Sequence, residues 1–331
     1  MDNPAPDLRT EAPMRSAGGV DQQILTTQDL FTRGYTHAAI RRAVAKGTLV
    51  RLRRGRYRRA RPSDTLPIPQ WPDGEAELRH RYLLRAALPF APGTVASHHS
   101  AAILHGLPMP NRILGKVSML RPGSGQGTCT STRQLRRAAL PASDIVEIGG
   151  IPATSLPRTV IDVARTLPFA DAVPVVDAAL HAAPSPDLLR STLLAQLAHR
   201  QSGNAAARRA VLFADSRAES PGESRCRAAF ELAGLPIPEL QFEITNAEGE
   251  FVARTDFRWP GLPLVGEYDG MVKYRGDGAG SALWDEKRRE DRIRELGWDM
   301  VRFIHTDLAD LGRLRARLQQ AFQRTSGRRA G

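Results

Sequence analysis

Between Thr255 and Lys273 the chain reads Thr-Asp-Phe-Arg-Trp, Pro-Gly-Leu-Pro, then Leu-Val-Gly-Glu-Tyr-Asp-Gly. If Pro260 to Pro263 form the turn, Trp259 faces Leu264 and Asp256 falls opposite Glu267 on a single β-hairpin. Side chains alternate with period two, so Asp269 shares the face of Glu267. Like charges directly across a strand pair destabilise it, and three carboxylates gathered there require a balancing cation or shared protons. A divalent metal, Mg2+ or Mn2+, held by Asp256, Glu267 and Asp269 is the simplest partner that this spacing suggests.

At 331 residues the chain has room for two or three domains. No apolar run is long enough to cross a bilayer. The first residues lack the apolar centre of a secretory signal, and Cys129 and Cys226 have neither a partner nor ligands at zinc spacing. A cytoplasmic protein without a membrane role is the expectation. The net charge of +12 is unevenly placed, since residues 215–331 hold 19 Lys and Arg against 20 Asp and Glu. The excess peaks between Arg41 and Arg61, where Arg41, Arg42, Lys46, Arg51, Arg53, Arg54, Arg56, Arg58, Arg59 and Arg61 occur without an acid. Such a run points to a polyanion, although a solvated basic arm has the same composition.

Local order favours the polyanion. Thr26-Thr-Gln-Asp29 has the form of a capping box, and Gly34 marks the stop of a helix over residues 27–33. Thr36 caps a second helix over 37–46 with Ala39, Ile40, Ala43 and Val44 inward. A hairpin around Arg54-Gly55 follows. The segment 1–60 therefore reads as a winged helix-turn-helix, with Arg41, Arg42, Arg53, Arg54 and Arg56 as DNA contacts. Through Thr27-Gln-Asp-Leu30, Gly34, Ile40 to Val44, Gly47-Thr-Leu49 and Arg54-Gly-Arg-Tyr57 it resembles the amino-terminal domain of AbiEi-type antitoxins and transcriptional regulators. That resemblance implies DNA as partner and a nucleotidyltransferase-type toxin, or its operon, as a second.

The Pro-rich stretch 61–74 reads as a linker. Over 75–214 a mainly helical middle domain is expected, with helices at 76–88, 97–105, 155–167, 169–182 and 187–199 and short strands near 117–120 and 144–148. His98, His99 and His105 do not repeat on one helical face beside a carboxylate, so packing or capping outweighs metal binding. Arg158 and Asp162 are spaced for a helical ion pair. Gly123-Ser-Gly125 lacks the following aspartates of a nucleotidyltransferase, so the toxin's own activity is not read here.

From Ser220 the order is helix, strand, acidic hairpin, charged helix (282–296), strand (298–304) and a last amphipathic helix. A strand-helix-strand crossover makes the sheet mixed. The residues Glu223, Leu235-Pro-Ile-Pro238, Gln241, Thr255-Asp-Phe257, Glu267-Tyr-Asp-Gly270, Arg289, Gly297 and Val301-Arg-Phe303 resemble the restriction-endonuclease-like PD-(D/E)XK superfamily, in its branch related to very-short-patch repair endonucleases. The resemblance implies an α/β domain over 215–325 in a multidomain α+β chain, and the terminal residues 326–331 read as a disordered tail. It implies metal-dependent DNA cleavage in which Asp256 and Glu267 ligate the ion and Glu223 assists, Asp269 being added to the site by the strand alternation alone. The superfamily lysine position is Asp269 here, so Lys273 or Lys287 would supply the cation. Each residue also has a plainer reading. Ser220-Pro-Gly-Glu223 is a good helix start, Lys287 fits a solvated face, and Arg302 in mid-strand suits a partner for one of the carboxylates. Two functions remain open on the sequence: a DNA-cleaving protein with a winged-helix reader, and a non-catalytic AbiEi-like regulator.

Overall fold

The computed structural model describes residues 24–61, 64, 74–198, 200–270 and 279–327, without the side chains of Phe90 and 279–285. Most of the expected linker, all of 271–278 with Lys273, and residues 328–331 of the tail lie outside the described residues. The chain is α+β and separates into two compact units, Met1–Asp162 and Val163–Gly331. Among the described residues no helix is long and apolar enough to cross a membrane.

The first unit opens with β1 (Leu25–Thr26), α1 (Thr27–Thr32) and α2 (His37–Ala45), then a hairpin of β2 (Leu49–Arg53) and β3 (Arg56–Arg59). Thr26 accepts from Asp29 N at 3.0 Å while Asp29 accepts from Thr26 N at 2.7 Å, the reciprocal box read from the sequence. Those bonds hold the Asp29 carboxyl below its ordinary value. Thr36 caps α2 through Ala39 N. Gly55 turns the hairpin at φ +75°, a conformation that costs a side chain strain. Leu25, Leu30, Tyr35, Ala39, Ile40, Leu49 and Tyr57 close a small core around these elements. The strands form a sheet ordered β1-β3-β2.

The same unit continues with α3 (Glu75–Ala87), β4 (Val95–Ala96), α4 (His98–Leu104), β5 (Val117–Pro122), β6 (Thr128–Cys129), β7 (Arg133–Ala138), β8 (Ile145–Ile148) and β9 (Ile151–Thr154). The helix α5 (Leu156–Ala164) crosses the boundary between the units. Six strands in the order β6-β7-β5-β4-β9-β8 make a sheet where a mainly helical domain was expected. Its strands were hard to read because β4 and β6 are two residues long and three arginines interrupt the apolar pattern of β7. His80 is fully buried, with Nδ1 on Leu114 O and Nε2 on Ser100 Oγ, and burial pushes it down to about 3. His98, His99 and His105 likewise meet Ser97, Lys116 O and Thr154 O, in keeping with packed histidines. Arg158 pairs with Asp162 at 3.0 Å, as their spacing indicated, and with Asp144.

The second unit holds α6 (Phe169–His181), α7 (Pro186–Gln196), α8 (Asn204–Phe213), α9 (Pro221–Leu232), β10 (Glu239–Thr245), β11 (Phe251–Arg258), β12 (Leu264–Tyr268), α10 (Ala279–Glu295), β13 (Asp299–Phe303) and α11 (Leu311–Thr325). Its sheet runs β10-β11-β12-β13, antiparallel except for the parallel β12–β13 pair that α10 connects. One apolar cluster joins Phe230, Phe257, Trp259, Phe303, Leu314 and Leu318, and a second joins Ile244, Ala253, Val265, Ile293 and Met300. The sheet is thus packed against α9 and α11 through one set and α10 through the other.

The helices α6 to α8 belong with this sheet rather than with the preceding segment, because Asp177 of α6 is bound to α9. Asp177 Oδ2 meets Arg227 Nη1 at 2.9 Å and Oδ1 accepts from Asp215 N at 2.8 Å. Both side chains are buried, and Arg227 also donates to Phe213 O. Burial pushes Asp177 up to about 6, with Arg227 opposing. A raised carboxyl makes the folded state bind the extra proton, so this contribution is fully present below about pH 3.8 and lost as pH rises through about 6. Thermal melts of wild type and Asp177→Asn across that window should show the wild-type advantage shrinking with pH. An advantage that grows with pH would contradict this assignment.

Candidate functional site

The acidic hairpin forms in the expected register. Phe257 pairs with Gly266 and Arg258 with Val265, and Trp259 N donates to Leu264 O. Gly266 carries no side chain because a Cβ there would press on the rings of Trp259 and Phe303. Asp256 Oδ2 accepts from Tyr268 N at 2.7 Å, which uses one of its oxygens to fasten β12.

Glu267 and Asp269 meet arginines. In the parallel pair Glu267 lies beside Arg302. Its Oε1 is 2.6 Å from Arg289 Nη2 and its Oε2 is 3.7 Å from Arg302 Nη2. Arg302 Nη1 is 3.3 Å from Asp269, and its Nη2 reaches both Glu286 and, at 3.2 Å, Glu290. Burial pulls the Arg302 guanidinium down, but Glu286, Asp269 and Glu267 reverse this and hold it above its ordinary value. Arg289 is raised in the same way by Glu267 and Glu286. Arg302 thus takes the carboxylate-partner role that its mid-strand position suggested. Glu286, Arg289 and Glu290 lie on one face of α10, and their i, i+3, i+4 spacing was the signal that could have located this network.

Glu223 comes from the first turn of α9. It is 4% exposed, and its Oε2 accepts from Glu219 N at 3.1 Å and from Gln241 Nε2 at 2.8 Å. Ser220 accepts from Glu223 N, so the helix-start reading of this residue holds. Gln241 reaches it from a left-handed backbone, φ +55°, a strained conformation for a side chain of this kind. Next to Glu223, Gly222 admits the Tyr268 ring where a Cβ would collide. Burial first, then the charges of Asp256, Glu223 and Asp307, push the Cys226 thiol well up. Lys287 is exposed on α10.

The donors do not fit a resident divalent ion as they stand. Among the described residues no three His, Cys, Asp or Glu side chains group to hold a metal. The physical reason lies in the guanidinium groups, which already supply the positive charge beside Glu267 and Asp269.

At the other end of the chain, Arg41 and Arg42 are exposed on α2 and Arg54 is exposed at the hairpin tip, while Arg53 and Arg56 are half-buried. The basic run is not one surface. Arg58 is 3% exposed and paired with Asp64, and Arg61 meets Glu75 at 3.4 Å and Tyr82 Oη at 3.1 Å.

Residues 20–60 match the family model described as "Transcriptional regulator, AbiEi antitoxin". Two curated proteins of Mycobacterium tuberculosis are similar to the chain: the uncharacterized protein MT2308 of strain CDC 1551 / Oshkosh and the uncharacterized protein Rv2248 of strain ATCC 25618 / H37Rv. Each is 33% identical over 233 residues, which is 70% of this chain and 82% of the relative. The crystal structure of the RV2827C protein from the same species is similar over 68% of this chain and 84% of that one, with 17% identity and a TM-score of 0.36.

Arg302 is the cation on which four carboxylates converge, so removing it should leave their repulsion unbalanced. Arg302→Gln is expected to lower stability at neutral pH by about 2–3 kcal/mol. Urea unfolding reads the loss. Adding Glu286→Gln should restore part of it. An unchanged urea midpoint in Arg302→Gln would show the network to be inessential.

Proposed function

We propose that this chain, which belongs to the family of the two M. tuberculosis proteins, is a DNA-binding transcriptional regulator of AbiEi antitoxin type. The observation that carries the reading is the amino-terminal winged helix, matched over residues 20–60 by the AbiEi model and presenting Arg41 and Arg42 on the exposed side of α2. On this reading α2 enters the major groove and Arg54 at the wing tip, with Arg53 and Arg56, holds the phosphate backbone. A nucleotidyltransferase-type toxin is the second partner implied by the family of that domain.

The second unit then serves a role other than cutting. A phosphodiesterase needs acids free to hold metal and activate water, whereas Glu267 and Asp269 are engaged by Arg289 and Arg302. Cleavage keeps one observation in its favour: Gly222, next to Glu223, lies against the Tyr268 ring, and Tyr268 N donates to Asp256. In that second reading Mg2+ or Mn2+ would be held by Asp256, Glu267 and Asp269, with Glu223 assisting and Lys273 or Lys287 as the cation. It requires the arginines to withdraw.

Supercoiled plasmid incubated with the full chain and Mg2+ or Mn2+ separates the two. Wild type, Asp256→Asn and Glu267→Gln are all expected to leave the plasmid intact. Metal-dependent nicking by wild type that both substitutions abolish would establish cleavage instead. In the same preparations Arg41→Ala with Arg42→Ala should weaken duplex binding about tenfold or more, at ~1–3 kcal/mol per lost base contact. Equal affinity by fluorescence anisotropy would remove α2 from the interface.

A further inference from the structure

The wing does not stand clear of the sheet that follows it. Leu52 of β2 is 4% exposed and lies in the core shared by Tyr82, Val117, Met119 and Leu135, outside the small core of the winged helix itself. That anchor carries Arg53 to the end of α3, where its Nη1 donates to Ala87 O at 3.5 Å. Across the hairpin Arg53 is paired directly with Arg56. Arg133, the first residue of β7, comes from the neighbouring sheet, and by alternation it shares the face of Leu135, which packs in the same core as Leu52.

Two arginines of the hairpin and one of β7 therefore lie on elements that share one apolar core. Burial first, and then the charges of Arg133 and Arg56, pull the Arg53 guanidinium below its ordinary value. Like charges set opposite one another cost stability, and Leu52 and Leu135, both buried in the same core, hold the elements that carry them. Where the fold gathers positive charge at a half-exposed surface, an anion regains what the repulsion costs. A nucleic-acid backbone offers anions at regular spacing along a contiguous surface.

We propose that Arg53, Arg56 and Arg133 form one phosphate-binding surface, so that the DNA backbone passes from the wing onto β7 of the following sheet. This rests on the DNA-binding reading of the winged helix. Arg133 adds a contact from outside the winged helix, and because Leu52 joins the wing to the core of the sheet, the contact lies at a fixed distance from α2.

The test is fluorescence anisotropy of the full chain with a fluorescein-labelled duplex of mixed sequence, titrated across a salt series. Arg133→Ala and Arg133→Gln are compared with wild type, with the Arg41→Ala, Arg42→Ala double variant, and with Arg315→Ala as a charge-matched change in the second unit. Thermal melts identify the variants that fold, and the Gln variant stands in if the Ala variant does not. Each lost phosphate contact lowers the slope of log K against log salt by about 0.9. Both Arg133 variants are expected to show that loss with weaker binding at low salt, and Arg315→Ala neither. Wild-type slopes in both Arg133 variants, alongside weakened binding in the α2 double variant, would overturn the extended surface and leave the winged-helix reading intact. A wild-type chain that does not bind the duplex would overturn both.

Discussion

Strand pairing places charges of one sign side by side at both ends of this chain, and each placement requires a counter-charge. In the second unit Glu267 lies on β12 with Asp269 just past its end, and β13 brings Arg302 into register with Glu267 and within reach of Asp269 while α10 adds Arg289. The parallel β12–β13 pair is what makes this balance: a strand running the other way would bring different residues beside the acids. In the first unit Arg53 faces Arg56 across the hairpin with Arg133 alongside. The carboxylates meet guanidinium groups inside the protein, and the arginines are proposed to meet the phosphates of nucleic acid.

The two apolar cores of the first unit decide which arginines remain for a partner. Leu52 leaves the winged-helix core to join that of the following sheet. With it the hairpin turns Arg58 inward to Asp64, and Arg61 meets Tyr82 and Glu75. The exposed cations of the run are then Arg41 and Arg42 of α2, Lys46 just after it, Arg51 of β2 and Arg54 at the wing tip. Charge density in the sequence overstates the size of the basic surface, and the packing of one leucine selects its members.

Much of the local structure was legible because it is dictated locally. Thr26 and Thr36 advertise their helices through caps, Gly55 marks the hairpin, and the Pro260 to Pro263 turn fixes the register that pairs Phe257 with Gly266. Arg302, alone among apolar strand neighbours, pointed to a carboxylate partner. The six-stranded sheet of the first unit was not legible, since two of its strands are two residues long and β7 carries Arg133, Arg136 and Arg137 where alternation would have shown. The boundary between units was hidden for another reason. Asp177 and Arg227 are 50 residues apart, and no periodic pattern announces a buried ion pair between distant helices. At the candidate site the facing of Asp256 and Glu267 across the hairpin was legible, but Glu286 and Glu290 of the charged helix were not read as partners of Arg302, since their approach to β13 is set by the crossover and not by local sequence.

Hydrogen exchange of the full chain, with and without a saturating DNA duplex, tests the central claim most directly. The account predicts added protection in α2, across the β2–β3 hairpin and at the start of β7, with β12 and β13 unchanged. Protection confined to the strands that carry Asp256, Glu267 and Asp269, with α2 unaffected, would contradict it and put the nucleic acid at the carboxylates.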